Sequence, residues 1–256
     1  VKVLDLFAGL EGWSEPFRNR GHEVISLDND PRFECNIIAD ILDFDAYDLD
    51  GWVPDIILAS PPCEKFSTLT FPQGYFKNMG DKKNKHIVPV KPEAHLAVSL
   101  VEKTVEIIED FRLMGTSFWI IENPRAILRS LNIIPYERRT VTYCQYGAAF
   151  MKPTDLWGNF PPSLKMRAMC KNGDPCHISA PRGSLAAVQG PVGALAQKKD
   201  VDWINKNYRK GSLRQVKAAL REHYGTSNHK ELAALRAKIP YELSLEVCIA
   251  AENDLK

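Results

Sequence analysis

The sequence predicts an α/β fold, a Rossmann-like, mostly parallel, doubly wound sheet, on three observations. Short apolar runs that read as strands alternate with stretches of helical periodicity, the pattern of a parallel sheet covered on both faces. Three of those runs end in turns dense in glycine, proline or carboxylate residues, and in open parallel sheets ligands bind beyond the carboxyl ends of the strands. The chain has 256 residues, 45% hydrophobic and 25% charged, which is ordinary for a globular protein and enough for one large domain or one with a small companion.

In chain order, Val1–Phe7 reads as a buried strand, without the charged start and long apolar stretch of a signal peptide. Ala8–Gly12 is a small-residue turn, and Ser14–Arg20 a helix that stops near Gly21. His22–Leu27 is the second strand and ends in Asp28-Asn29-Asp30. Asn36–Ala39 forms a short third strand. Asp55–Ala59 is the fourth and runs into Ser60-Pro61-Pro62-Cys63. Residues 64–92 read as loop. Over Pro92–Leu113, the residues Leu96, Leu100, Val101, Val105, Ile108 and Phe111 recur at helical spacing and predict a long helix. Ser117–Ile121 is a fifth strand, followed by Glu122-Asn123-Pro124, and Arg139–Cys144 a sixth. Past Asn159, Pro, Gly and Lys dominate to about residue 200. Ser212 then caps a helix over Leu213–Tyr224 that Gly225 stops, and Lys230–Lys238 forms another. No run of about 18 apolar residues occurs, so no membrane-spanning helix is expected.

The expected organisation is a catalytic domain over 1–159, a small basic region over 160–238, and a C-terminal helix over 239–256 that returns to the first domain. Charge supports the division. Residues 1–160 carry 17 Lys+Arg against 23 Asp+Glu, residues 161–238 carry 15 against 5, and residues 239–256 carry 1 against 4. A basic block beside an acidic remainder suits a polyanionic partner, although a solvated lysine-rich insertion has the same composition. Six cysteines without a secretory signal point to a reducing compartment.

The first strand-end cluster is Asp5-Leu6-Phe7-Ala8-Gly9-Leu10-Glu11-Gly12. Strand, glycine turn and helix make a nucleotide-type binding element, because glycine lets a ligand approach the backbone and the loop N–H groups can bond it. Asp28 ends the next strand about 20 residues after Gly9, the spacing of a carboxylate that binds ribose hydroxyls. Asp40 follows the third strand and could reach an adenine amino group. Each has an ordinary alternative as a turn carboxylate.

The second cluster is Ser60-Pro61-Pro62-Cys63-Glu64-Lys65-Phe66-Ser67. Two prolines stiffen the loop and fix the thiol, and Lys65 favours its thiolate form. A cysteine after a strand is by itself more often inert. The third cluster, Ile120-Ile121-Glu122-Asn123-Pro124, carries a carboxyl out of an apolar strand. Desolvation there holds Glu122 protonated near neutrality, ready to give a proton or hydrogen bond to a ring nitrogen. A salt-bridged strand-end glutamate is the alternative. A thiol, an acid and a cofactor turn at adjacent strand ends form one set. The thiol adds to carbon 6 of a cytosine ring, the acid steadies nitrogen 3, and carbon 5 becomes reactive toward a methyl donor.

On these residues the chain resembles the DNA cytosine-5 methyltransferases, and is most similar to their compact phage-type members. Asp5-Leu6-Phe7-Ala8-Gly9-x-x-Gly12 matches the cofactor motif, Ser60-Pro61-Pro62-Cys63-x-x-Phe66-Ser67 the nucleophile motif, and Glu122-Asn123 the glutamate motif, with Pro124 in place of the usual valine. Tyr146-Gly147 resembles the start of a later motif. The resemblance covers about residues 1–159 and, weakly, 239–251. It implies the class I S-adenosylmethionine-dependent methyltransferase fold and base flipping out of duplex DNA. It also implies Cys63 as nucleophile and Glu122 facing cytosine nitrogen 3. S-adenosyl-L-methionine would lie against Asp5, Phe7, Ala8, Gly9, Gly12, Asp28, Asn29, Asp40, Ile41 and Pro61. There are departures. Where the family has Gln-x-Arg-x-Arg, this chain has Phe150-Met151-Lys152-Pro153-Thr154. Lys152 stands in for an arginine that steadies the flipped base, without its guanidinium fork. Asp28 replaces a frequent Glu, and Glu64 a common Gln.

In the basic region Arg214, Lys217 and Arg221 share one face of the predicted helix and are expected to contact phosphates, possible also within a helix-turn-helix over 213–238. Cys170-x5-Cys176-His177, with Cys144, is a candidate Cys3His zinc set, weighed against buried thiols and a loop histidine. The expected partner is double-stranded DNA, met by a monomer in a bacterial or phage-infected cytoplasm, with no membrane. The alternatives are the same chemistry on RNA, a modified donor, a non-catalytic nucleic-acid-binding module, and a dinucleotide oxidoreductase that leaves Cys63 and Glu122 without a role.

Overall fold

The computed structural model describes residues 1–67, 73–81, 84–148, 151–171, 173–177 and 237–256. Two compact units divide the chain. Unit 1 is Val1–Thr140, Thr154–Lys165 and Ser244–Lys256, and unit 2 is Val141–Pro153 and Met166–Leu243.

The main sheet has seven strands: β1 (Lys2–Leu6), β2 (Glu23–Asp28), β3 (Ile37–Ile38), β4 (Ile56–Ala59), β7 (Phe118–Pro124), β8 (Glu137–Thr142) and β9 (Pro153–Asn159), in the order β3-β2-β1-β4-β7-β9-β8. The first four pairings along that order are parallel, and β9 runs antiparallel to β7. Helix α1 (Ser14–Asn19) connects β1 to β2, and α2 (Pro92–Met114) leads into β7. The α/β class and its mostly parallel sheet are as the sequence predicts. Strand order reverses beside β1, where β2 lies on one side and β4 on the other, and the crevice at such a reversal is where these sheets bind ligands.

Burial explains the strands. Leu4, Leu6, Leu27, Ile57, Ala59, Ile121 and Trp157 belong to one apolar cluster with Val101, Ile107, Ile108 and Phe111 of α2. Helix α2 starts at Pro92, whose fixed φ suits a first turn, and stops at Gly115, whose φ of 116° few other residues accept. Its buried face is Ala94, Ala97, Val101, Thr104, Ile107, Ile108 and Phe111. Leu96, part of the periodic set, is 52% exposed. The small Ala94 and Ala97 face the core in its place.

Two elements depart from the sequence reading. Within residues 64–92, read as loop, β5 (Phe76–Asn78) pairs antiparallel with β6 (Ile87–Pro89). Strand β9 was not signalled, because Pro153, Asp155 and Gly158 are poor strand formers. Tertiary contacts override that. Asp155 is fully buried against Arg129, and a Cβ on Gly158 would stand 1.9 Å from the Trp119 carbonyl oxygen.

The last helix, α3 (Tyr241–Asp254), buries Ser244, Val247, Cys248, Ala250 and Ala251. Within unit 1 the Ser244 hydroxyl donates to the Trp13 carbonyl, and Glu252 accepts from Arg20 at 2.6 Å and lies 2.7 Å from His22. Among the described residues no helix is long and apolar enough to cross a membrane.

Candidate active site

At the end of β1 the backbone turns sharply. Phe7, Gly9 and Glu11 have φ of 58°, 51° and 52°, and for Phe7 and Glu11 that left-handed region is costly. Neighbouring strands hold the turn in place. The Ala8 N–H donates to the Leu27 carbonyl at 3.0 Å, and the Gly9 N–H donates to Asp28 Oδ2 at 2.9 Å. The other Asp28 oxygen accepts from the Asp30 N–H at 2.9 Å, so this carboxylate also shapes the turn after β2. Arg18 adds a second tie, donating to Glu11 at 2.8 Å, to Ser26 at 3.2 Å and to Asn36 at 2.9 Å.

Asp5 lies beneath this turn, 1% exposed. Ser14 donates its hydroxyl to Oδ2, while Oδ1 is buried with no hydrogen-bond partner among the described residues. Burial pushes the Asp5 carboxyl up to about 7, against the pull of the Ser14 bond. Ala8 and Gly12 are buried, Phe7 and Gly9 half-buried, and Asn29 exposed. Asp40 caps a 3-10 turn over Ile41–Asp43 by accepting from the Leu42 N–H at 3.0 Å, and the Ile41 side chain is buried in the core.

Strands β4 and β7 lie side by side, with Ala59 in register with Ile121. The loop after Ala59 therefore leaves the sheet beside β7, which continues through Glu122 and Asn123 to Pro124 in pairing with β9. Cys63 is half-buried in that loop, and Glu122, on β7, is 4% exposed. The buried Asn123 side chain donates to the Pro61 carbonyl at 2.9 Å, bolting the cysteine loop to β7. Trp13 Nε1 donates to the Ser60 hydroxyl at 3.0 Å, tying the loop to the turn after β1. Beyond the thiol, the Phe66 N–H donates to the Cys63 carbonyl at 3.1 Å, and the fully buried Phe66 ring packs 5.7 Å from that of Phe76. The Lys65 ammonium lies 4.8 Å from the centre of the Tyr75 ring.

Sequence reading gave no role to Ser14, Arg18, Asn36, Trp13 or Asn123. Asn123 stands inside a quoted motif, but its partner is 62 residues away, and only the pairing of β4 with β7 reveals it.

In unit 2, Lys152 has φ 30°, and its ammonium lies 4.4 Å from the centre of the buried Tyr143 ring. Cys144, Cys170, Cys176 and His177 come together, their ligand atoms all within 4.8 Å of one another. Arg214, Lys217 and Arg221, and the helices expected around them, lie outside the described residues.

The chain is similar to known proteins in sequence and in fold. A sequence profile described as C-5 cytosine-specific DNA methylase matches residues 1–94. A Frog virus 3 (isolate Goorha) protein named "Probable DNA (cytosine-5)-methyltransferase" is 26% identical over 179 residues, covering 67% of this chain and 78% of its own. The solved structure of the Entamoeba histolytica methyltransferase EhMeth has the same fold, with a TM-score of 0.55 at 12% identity, covering 100% of this chain and 99% of that one. A candidate DNA modification methyltransferase encoded within an E. coli prophage gives a TM-score of 0.43 at 15% identity, covering 67% of this chain and 52% of that one, so the chain spans about half its length. The glycine turn after β1 and the proline-cysteine loop after β4 both lie inside the segment that matches the C-5 cytosine-specific DNA methylase profile.

Proposed function

We propose that the protein transfers a methyl group from S-adenosyl-L-methionine to carbon 5 of cytosine in double-stranded DNA, through a covalent bond between Cys63 and the flipped base. The observation that carries this reading is the Asn123–Pro61 bond. It ties the loop bearing Cys63 to the strand bearing Glu122, which supports a thiol and a carboxyl acting on one base.

The turn fits the donor. The Gly9 N–H is held by Asp28, so the turn is preset in shape and the Asp28 carboxylate would border the donor's nucleoside, and the orphaned Asp5 Oδ1 is an acceptor that the donor's ammonium group would satisfy. Phe7, Asp28, Asn29, Asp40, Ile41 and Pro61 would hold the rest. When bound, the donor supplies an electrophilic methyl group on a sulfonium and leaves as the neutral thioether.

The protein's part is to make carbon 5 a nucleophile. Cys63, as thiolate, bonds to carbon 6, and the electron pair of the 5,6 double bond moves toward the ring nitrogens. Glu122, 4% exposed, meets that charge at nitrogen 3 with a proton or hydrogen bond. Carbon 5 then takes the methyl group. A base removes the carbon 5 proton, the 5,6 double bond re-forms, and the Cys63 thiolate leaves. Lys152, and from the basic region Arg214, Lys217 and Arg221, are assigned to DNA contacts.

The test is incubation with tritium-methyl-labelled S-adenosylmethionine and duplex DNA, with and without 5-fluorocytosine at the target. Label on carbon 5 and a trapped covalent adduct are expected. Cys63→Ala removes both while the circular dichroism spectrum is retained, and lowers turnover on the order of 10⁴-fold or more. Label on RNA alone would move the substrate assignment, and no transfer to either would overturn the proposal.

A further inference from the structure

We propose that Cys144, Cys170, Cys176 and His177 form a Cys3His site for one zinc ion, and that this ion fastens residues 166–177 to residues 141–146. This site stands apart from methyl transfer and shares no residue with it.

Geometry is the first support. Cys176 Sγ lies 3.8 Å from Cys144 Sγ, and His177 Nδ1 lies 3.6 Å from Cys170 Sγ and 3.4 Å from Cys176 Sγ. Zinc bonds of about 2.3 Å to sulfur and about 2.0 Å to nitrogen, at tetrahedral angles, give edges of about 3.8 Å between sulfurs and about 3.5 Å between sulfur and nitrogen. Three separations match those edges. The fourth, Cys144 to Cys170, is 3.0 Å, so an ion would spread these two sulfurs by about 0.8 Å.

Donor chemistry and supporting bonds agree. Three thiols and an imidazole are a soft set suited to a closed structural zinc site. Gln145 Nε2 donates to Cys176 Sγ at 3.2 Å, the kind of outer bond that steadies a ligating thiolate. The Cys170 N–H donates to Thr142 Oγ1 at 3.2 Å, and the Lys171 N–H donates to Asp174 Oδ2 at 2.6 Å, closing a turn between Cys170 and the Cys176-His177 pair.

The surrounding chain gives such an ion something to do. Among the described residues of 166–177, Cys170 and His177 alone are buried, while Arg167, Ala168, Met169, Lys171, Gly173 and Pro175 are exposed. A segment with so few apolar anchors gains little from burial, and a metal supplies the missing cross-link. A second compact ligand group among the described residues, His22, Cys248 and Glu252, is explained without metal, because Glu252 pairs with Arg20 and His22.

The full chain, prepared without a histidine tag and under reducing conditions, should carry one zinc per chain by elemental mass spectrometry. Cys170→Ser and Cys176→Ser should each lower this at least tenfold, while Cys35→Ser and Cys248→Ser leave it unchanged. Cobalt exchanged into the wild-type chain should show thiolate charge-transfer absorption and the strong visible bands of a tetrahedral ion, a readout that holds even where a serine variant fails to fold. Zinc-free protein with titratable thiols, a Cys144–Cys170 disulfide in peptide maps, or zinc content indifferent to Cys170 and Cys176 would each overturn the proposal.

Discussion

Unit 1 places its candidate site residues with a sheet, whereas in unit 2 the segment 166–177 holds its candidate ligands with few apolar anchors of its own. In unit 1, Leu4, Leu6, Ile57 and Ile121 lie in strands buried on both faces, so Asp5, Cys63 and Glu122 inherit their positions from a packed core. In unit 2, Cys170 and His177 are the buried residues among those described in the segment 166–177, so the candidate ligands are also that segment's anchors. A sheet core tolerates loss of one polar contact at its rim. A segment anchored through its own candidate ligands has less to fall back on, and this difference can be tested from the unit 1 side.

The largest effect is expected where unit 1 departs from its own rule. Asp155, fully buried, accepts from Arg129 at 2.8 and 2.9 Å and from the Thr140 hydroxyl at 2.7 Å. Arg129→Ala strands that carboxylate and should cost about 3–5 kcal/mol in urea unfolding, with zinc content unchanged. A loss below about 1 kcal/mol would mean that water replaces the guanidinium.

Asn123→Ala comes next. It removes the donor to the Pro61 carbonyl, leaves that oxygen unpaired, and should cost about 1–3 kcal/mol. Since the bond positions the Cys63 loop, kcat should fall while KM for the methyl donor changes little. Equal loss of both would show that the loop also shapes the donor pocket.

The smallest change is a pH slope. Asp5 titrates near 7 in the folded protein because burial disfavours its charge, well above an exposed carboxylate. Between about pH 4 and 7 the folded state keeps a proton that the unfolded state has released, so stability is fully present at low pH and is lost as pH rises through 7. Asp5→Asn should remove that component, making Tm flatter across the window in donor-free protein. An unchanged slope would place the titration elsewhere.

Much of unit 1 was legible because its signals are local. Alternating apolar runs mark β1, β2, β4 and β7, helical spacing from Pro92 marks α2, and the two key turns announce themselves through glycine and proline. The hairpin of β5 and β6 is short and half-polar, and β9 has a sequence that disfavours strands, so neither left a periodic trace. Their pairing depends on neighbours: β9 lies along β7 through six register pairs, with Gly158 allowing the close approach.

The sequence by itself determined the α/β class and the candidate residues at its strand ends, because propensity, turn geometry and side-chain chemistry act over a few residues. The tertiary structure decided what those residues meet. The Asn123 bond to Pro61 spans 62 residues and Trp13 to Ser60 spans 47, while Cys144 reaches Cys170 across 26. Such contacts follow from strand order and core packing, which are properties of the whole folded chain and leave no mark in the spacing of any one segment.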